Sequence, residues 1–281
     1  MSVSTAVVDG IVTGYEVAGS GPPLLMFSPG GFNATLDGWE THGLYQRTRM
    51  LARLRERFTC IIFDKRESGR SGGRVERVRW TDYVNQGVGL LDHLDYGRVH
   101  VMGACVGCSI ATLLATTHRE RVAGMVLYSP AGGPKYRRKQ HARFAAHLAY
   151  VAEHGLAGVA ALARATEAGF SDDGRVGPWV SVLRSDPDFA VRYVKLDVGR
   201  YQTIVAGMSR LLFDRDTVPG CGTRRPVGTG HSGAHRAGGR QLPCAVGGAL
   251  PPGMSARVAI LGHAGRGADR RHRAGPRNRI P

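Results

Sequence analysis

The thiol of Cys105 stands at the centre of Gly103-Ala104-Cys105-Val106-Gly107, between an apolar run and an Ala/Leu-rich run. A nucleophile on such a strand-to-helix turn carries its tip above the sheet. The two glycines remove side chains where strand and helix crowd each other. The helix start behind the turn offers free N–H groups and positive potential to a developing oxyanion. The same potential is expected to lower the thiol pKa from its free value of about 8.5. A thiolate there attacks a carbonyl carbon, and a nearby histidine would deepen its activation. Cys105-Val106-Gly107-Cys108 also reads as Cys-x-x-Cys at a helix start, the arrangement of thiol–disulfide exchangers. A third reading is a buried, inert thiol on a degenerate turn. No second Cys-x-x-Cys or histidine pair has ligand spacing, so no metal site is expected.

The elements that must position this thiol follow from periodicity. Val7 to Glu16 predicts a hairpin around Asp9-Gly10, and Leu24 to Phe27 a short buried strand followed by the turn Ser28-Pro29-Gly30-Gly31. Leu44, Leu51, Leu54 and Phe58 predict one face of a helix. Thr59 to Phe63 reads as the next strand, ending at Asp64. Thr81 is expected to cap a helix bearing Val84, Val88, Leu91 and Leu94. Val99 to Met102 is a strand, the helix after Cys105 runs to His118, and Gly124 to Tyr128 is another strand. Alternating strands and helices of these lengths give right-handed βαβ units and a parallel sheet covered on both faces. From 135 to 212 the pattern is helical: one segment around Phe144, Leu148 and Val151, one from Leu156 to Ala168, and one or two within Phe189 to Leu212. Such an insertion on the nucleophile's side of the sheet would form a lid, excluding water and shaping a pocket.

The 281 residues suffice for one large α/β domain. A net charge of +16 invites a nucleic-acid reading, but its distribution argues against a specific one. Residues 221–281 hold eleven arginines and one acid, Asp269, so ten of the sixteen net charges lie there. That segment has thirteen glycines, six prolines and no aromatic residue, and only Ser255 to Leu261 reads as a short strand. It buries too little apolar surface to offset an ordering cost of roughly 1–2 kcal/mol per residue. The change of composition near Pro219-Gly220-Cys221 is expected from a lost reading frame in a GC-rich gene; a natural basic tail is the alternative. Binding of nucleic acid by the tail would be non-specific and salt-sensitive. The basic cluster Lys135, Arg137, Arg138, Lys139 and Arg143, with Tyr136, reads as a solvated helix face; a phosphate- or CoA-binding patch is the alternative. No signal peptide and no membrane span are seen. Five sparse cysteines do not form a disulfide framework, so a cytoplasmic location is expected.

Four stretches in this order resemble the α/β-hydrolase family in its lidded, single-domain form, over residues 5 to 218. Gly103 to Gly107 is similar to the nucleophile elbow, with Cys105 where serine is usual. Phe27-Ser28-Pro29-Gly30-Gly31-Phe32 resembles the oxyanion-hole turn, with Pro29 where histidine is usual. Asp64-Lys65-Arg66-Glu67-Ser68-Gly69-Arg70-Ser71 looks like the Asp-x-Arg-Gly-x-Gly-x-Ser loop, with Glu67 in place of glycine. His118 to Leu127 resembles the stretch entering the strand after the elbow helix. The resemblance implies an α/β fold with a core in two parts (1–134 and 213–281, the second aberrant) and a lid over 135–212. It implies an oxyanion hole from the amides of Val106 and of Gly31 or Phe32. It also implies an acid after the strand that follows the lid and a histidine near the C-terminus. Among His231, His235, His263 and His272, His263 in Leu261-Gly262-His263-Ala264 matches the base best. Asp214 and Asp216 precede the expected place of the acid. The activity expected is hydrolysis or acyl transfer on a small ester, thioester, lactone or related carbonyl compound through a thioester on Cys105, without cofactor. A catalytically inactive relative lacking the triad's acid and base, and a Cys-x-x-Cys redox protein, are the other readings.

Overall fold

The computed structural model describes residues 3–131, 133–211 and 259–261. Strands β1 (Ser4–Val8) and β2 (Ile11–Ala18) form an antiparallel hairpin. Its two turn residues, Asp9 and Gly10, both have positive φ (50° and 66°), as a two-residue turn of type I′ requires. Strands β3 (Pro23–Phe27), β4 (Thr59–Phe63), β5 (Val99–Ala104), β6 (Val122–Tyr128) and β7 (Ala259–Leu261) are mutually parallel, and β2 joins β4 antiparallel. The sheet order is β1-β2-β4-β3-β5-β6-β7. Both faces are buried, which is why β3 and β4 read as unbroken apolar runs. Leu25, Phe27, Ile61, Phe63 and Val101 face one core, and Leu24, Met26, Cys60, Ile62 and Met102 face the other.

Register sets the site. Met26 pairs with both Ile62 and Met102, Ala104 with Tyr128, and Tyr128 with Leu261. The C-terminal ends of these parallel strands are therefore level, and the segments that leave them emerge along one edge.

The first core is completed by α4 (Trp80–His93) and α5 (Gly107–Thr117). Thr81 is not the cap of α4. Arg79 occupies that position, and its N–H donates to the Asp82 carboxylate at 2.6 Å. The second core does not receive the single helix expected over Leu44 to Phe58. Three short helices stand there, α1 (Gly38–Thr41), α2 (Gly43–Thr48) and α3 (Met50–Arg55), with Arg49 at φ 49° between the last two. The buried residues are Trp39, Tyr45 and Leu51. Spacings of six would scatter them around one straight helix, so the chain breaks twice to bring all three onto the sheet. Phe58 lies beyond α3.

From 133 onward the described chain is helical up to 211. Helix α6 (Gly133–Ala165) is two helices in line, broken at Gly155 (φ 63°, ψ −176°). Then follow α7 (Val180–Ser185), α8 (Pro187–Tyr193) and α9 (Val198–Leu211). The segment expected from Leu156 to Ala168 thus ends at Ala165. This part docks on the sheet domain through two indole N–H groups. Trp80 donates to the Leu211 carbonyl at 3.1 Å and Trp179 to the Arg74 carbonyl at 3.0 Å.

Inside it, the fully buried His147 has Nδ1 2.9 Å from the Arg175 carbonyl and Nε2 2.6 Å from the Tyr201 hydroxyl. The carbonyl can only accept, so Nδ1 carries the proton and Nε2 accepts from Tyr201. The Tyr201 oxygen in turn accepts from Tyr193 at 2.7 Å. This chain is satisfied only with a neutral imidazole. Burial lowers the His147 pKa from 6.5 to about 4, against the bond to Arg175. As pH falls below 6.5 the unfolded chain binds a proton that the folded one refuses. Stability is therefore expected to drop by about 3 kcal/mol between pH 7 and 4. Denaturant titrations across that range test this, and His147→Gln should flatten the slope.

Candidate active site

Cys105 lies between β5 and α5 with φ 54°. Left-handed backbone costs a non-glycine residue on the order of 1–2 kcal/mol, and three bonds hold it there. The Cys105 N–H donates to the Tyr128 carbonyl, and the Cys105 carbonyl accepts from the N–H groups of Cys108 and Ala131, each at 3.2 Å. The flanking glycines are required by contact. A Cβ on Gly103 would lie 2.5 Å from the Gly107 carbonyl oxygen, and one on Gly107 would lie 2.4 Å from that of Phe27. Strand β3, strand β5 and helix α5 touch through backbone, and this leaves the thiol at the bend half-buried.

The loop after β3 comes against this turn. Gly30 (φ 124°) and Gly31 (φ 66°) both need glycine conformations. The amides that reach the Cys105 sulfur are those of Val106 and Gly30. Gly30 precedes by one residue the Gly31 and Phe32 amides expected from the sequence. Val106 and Gly31 line the same two small cavities.

The thiol pKa departs from expectation. Burial raises it, and the two amides only partly oppose that rise. The dipole of a helix start is worth roughly 0.3–1 kcal/mol at an exposed site, less than the loss of water around a thiolate costs here. Tyr45 and Tyr136 stand close enough for their own pKa values to be raised by Cys105, after the larger effect of burial. Cys108 points away from the turn's mouth: its buried thiol donates to the Gly103 carbonyl at 3.1 Å. Cys60, Cys105 and Cys108 form no disulfide.

The loop 64–71 braces the site from below. Asp64 is fully buried and accepts from the N–H of Leu36 at 2.8 Å and from that of Arg70 at 2.7 Å. It thereby ties the oxyanion-side loop to its own. Burial raises its pKa, opposed by those two amides. A Cβ on Gly69 would lie 2.5 Å from its carboxyl carbon, so Gly69 is structural. Ser71 is structural too, donating to the Asp64 carbonyl at 2.6 Å and accepting from Gly14. Glu67, where the resembling loops have glycine, sits at φ 65°, buried, with Arg66 Nε 2.7 Å away.

Lys65 was not singled out from the sequence, yet it lines both cavities beside Val106 and Gly31. Its ammonium lies 4.3 Å from the Tyr83 ring centroid. Burial lowers its pKa to about 8, so it is still mostly charged at neutral pH. Tyr83 and Ser28 are the other polar residues of this lining, and Tyr136 of α6 walls the second cavity. Their sequence surroundings gave no signal, because burial of a lysine or tyrosine is decided by elements far away in the chain.

His263, Asp269, Asp214, Asp216 and the altered composition after residue 220 lie outside the described residues. Strand β7 ends at Leu261, two residues before His263, at the level of Tyr128 and Ala104. Of the basic cluster, Lys135, Arg138 and Lys139 are exposed, whereas Arg137 and Arg143 are half-buried. Among the described residues no group of histidine, cysteine and carboxylate could hold a metal, and no helix is long and apolar enough to cross a membrane.

The stretch that builds this site matches a known family. A family model described as alpha/beta hydrolase fold matches residues 23–163, half of the chain, and the chain belongs to that family. Solved structures similar to it include the enol-lactonase of Burkholderia xenovorans LB400 (18% identity over 74% of this chain and 73% of that one, TM-score 0.45). A hydrolase of Pseudomonas aeruginosa PA01 gives 20% identity over 74% and 72% with TM-score 0.45. An alpha/beta hydrolase of Sphaerobacter thermophilus DSM 20745 gives 20% over 77% and 76%, also with TM-score 0.45.

The raised thiol pKa makes a direct prediction. Alkylation of Cys105 by iodoacetamide, followed by peptide mass analysis, should be slow at pH 7. Its rate should climb with a midpoint above that of a free cysteine measured alongside. A midpoint below that of the free cysteine would show that the helix start outweighs burial.

Proposed function

We propose that this protein hydrolyses a small ester, thioester or lactone, with Cys105 as nucleophile. The observation that carries the reading is the left-handed Cys105 backbone between two glycines that tolerate no side chain, with the amides of Val106 and Gly30 turned to its sulfur. Strain of this kind persists where the surroundings over-determine it, and it clusters at active sites.

The Cys105 thiol gives its proton to a base as its sulfur bonds to the carbonyl carbon. The oxyanion is held by the amides of Val106 and of the loop 30–32, Gly31 and Phe32 included. Collapse expels the alcohol, thiol or ring oxygen, which takes the proton, and leaves a thioester on Cys105. Water then attacks the thioester, releasing the acid and restoring the thiol. A neutral thiol makes the base indispensable. We assign that role to His263, on the support of β7 ending at the elbow's edge of the sheet. The helical segment 135–212 serves as the lid, supported by Tyr136 standing over the cavities beside the elbow. The thiol state of Cys60 and Cys105 supports a reducing compartment such as the cytoplasm.

One observation favours a second reading. The groups acting on Cys105 among the described residues are backbone amides and phenols, with no histidine or carboxylate in contact. A protein that binds the substrate without turning it over would look the same. Incubation with a p-nitrophenyl acyl ester and intact-mass analysis separates the two. An acyl adduct that disappears in Cys105→Ala, with turnover reduced by about 10³-fold or more, supports the hydrolase. Neither adduct nor turnover in the parent protein would leave the binding protein.

A further inference from the structure

Helix α6 sets the phenol of Tyr136 against the oxyanion-side loop. Its hydroxyl lies 3.4 Å from where a Gly31 Cβ would stand. With bonds of about 1.5 Å inside the residue, the hydroxyl and the Gly31 amide nitrogen are at most about 6 Å apart. One oxygen accepting at about 2.9 Å from each of two donors spans such a gap. Tyr136 also lines one small cavity with Gly31 and Val106, whose amides hold the oxyanion in the mechanism above. It stands near enough to Cys105 for the thiol to act on its titration.

The phenol is held in that place from its own helix. Burial raises its pKa, and Arg143 and Gln140, which follow it on α6, oppose the rise. Gln140 is itself buried and acts through a hydrogen bond. A bond that lowers an acid's pKa is donated to the acid's oxygen, so the phenol's own proton is left for another acceptor. Two turns beyond Tyr136, the Phe144 ring meets Phe32 edge-on at 5.0 Å, which ties the helix to the residue after Gly31.

We propose that the Tyr136 hydroxyl is a third donor to the oxyanion, beside the amides of Val106 and of the loop 30–32. The role rests on the hydrolase reading above. As the Cys105 sulfur bonds to the carbonyl carbon, the carbon–oxygen double bond opens and its electron pair moves to the oxygen. That oxygen accepts from the amides and from Tyr136, and no proton leaves the phenol. Phe32, Trp80 and Ile110 make the surroundings apolar, so the bond meets little competition from solvent. The hole is then complete only with α6 seated against the loop.

The test compares the full chain with its Tyr136→Phe variant in two assays. In the first, kcat and KM are measured for p-nitrophenyl acetate. Loss of one oxyanion donor should lower kcat by about 10²-fold, with KM and the melting temperature unchanged. In the second, trifluoroacetone is titrated onto the protein and followed by fluorine NMR. The Cys105 sulfur adds to this ketone with no leaving group to expel, and the ketone oxygen takes the place of the oxyanion. Cys105→Ala should abolish the adduct, and Tyr136→Phe should weaken it by about tenfold or more, as loss of a bond to a charged group implies. A tyrosine that merely walls the cavity would raise KM or lower the melting temperature and leave the adduct unmoved. Where the parent protein turns over, either assay left unmoved, or a loss that falls on KM alone, overturns the donor. Absence of turnover in the parent protein defeats the hydrolase, and the ketone then decides alone. An adduct weakened by Tyr136→Phe keeps the donor; equal adducts, or none, overturn it.

Discussion

The arrangement depends on one close approach of backbone to backbone. Helix α5 presses on β3 and β5 at Gly107 and Gly103, with no room for a methyl group at either point. That approach forces a reversal within one residue, and Cys105 absorbs it in the left-handed region. The same contact brings the loop after β3 against the turn, so that the Gly30 and Val106 amides meet the sulfur. Geometry, amide donors and exposure of the thiol thus share one cause. The thiol's raised pKa shares it too, since the crowding that builds the turn removes water from it.

The loop 64–71 makes this stiff at the cost of burying charge. Asp64 binds two loops through their amides, and its partner groups are backbone, which cannot swing away. Glu67 shows how two effects of opposite sign are resolved. Its left-handed backbone costs on the order of 1–3 kcal/mol, which glycine would avoid. Against that strain stands its contact with Arg66 at 2.7 Å, a guanidinium that Glu76 also meets.

Much of the fold was legible because both faces of the sheet are buried. Runs such as Leu24 to Phe27 and Thr59 to Phe63 carry a signal that no local preference contradicts. The elbow was legible because its glycines and its central residue lie within five positions. The single helix expected over Leu44 to Phe58 was misread because Trp39, Tyr45 and Leu51 answer to a sheet surface rather than to helical period. Lys65, Ser28 and Tyr83 were not legible as a set. They come from three separate segments, and only the register of β3 with β4 and the packing of α4 bring them to one cavity. The thiol pKa was misjudged because the sequence displays the helix start that lowers it and hides the burial that raises it.

The ring of Phe32 stands edge-on to Phe144 of α6 at 5.0 Å between centroids, and Phe144 meets Phe170 at the same separation. The loop after β3 and helix α6 are therefore keyed together by aromatic side chains rather than merely adjacent. Phe32 follows directly on Gly30 and Gly31, so its ring neighbours on Phe144 and Phe170 anchor the loop that turns an amide to the sulfur. Any shift of α6 is thus transmitted through these rings to the backbone beside the elbow.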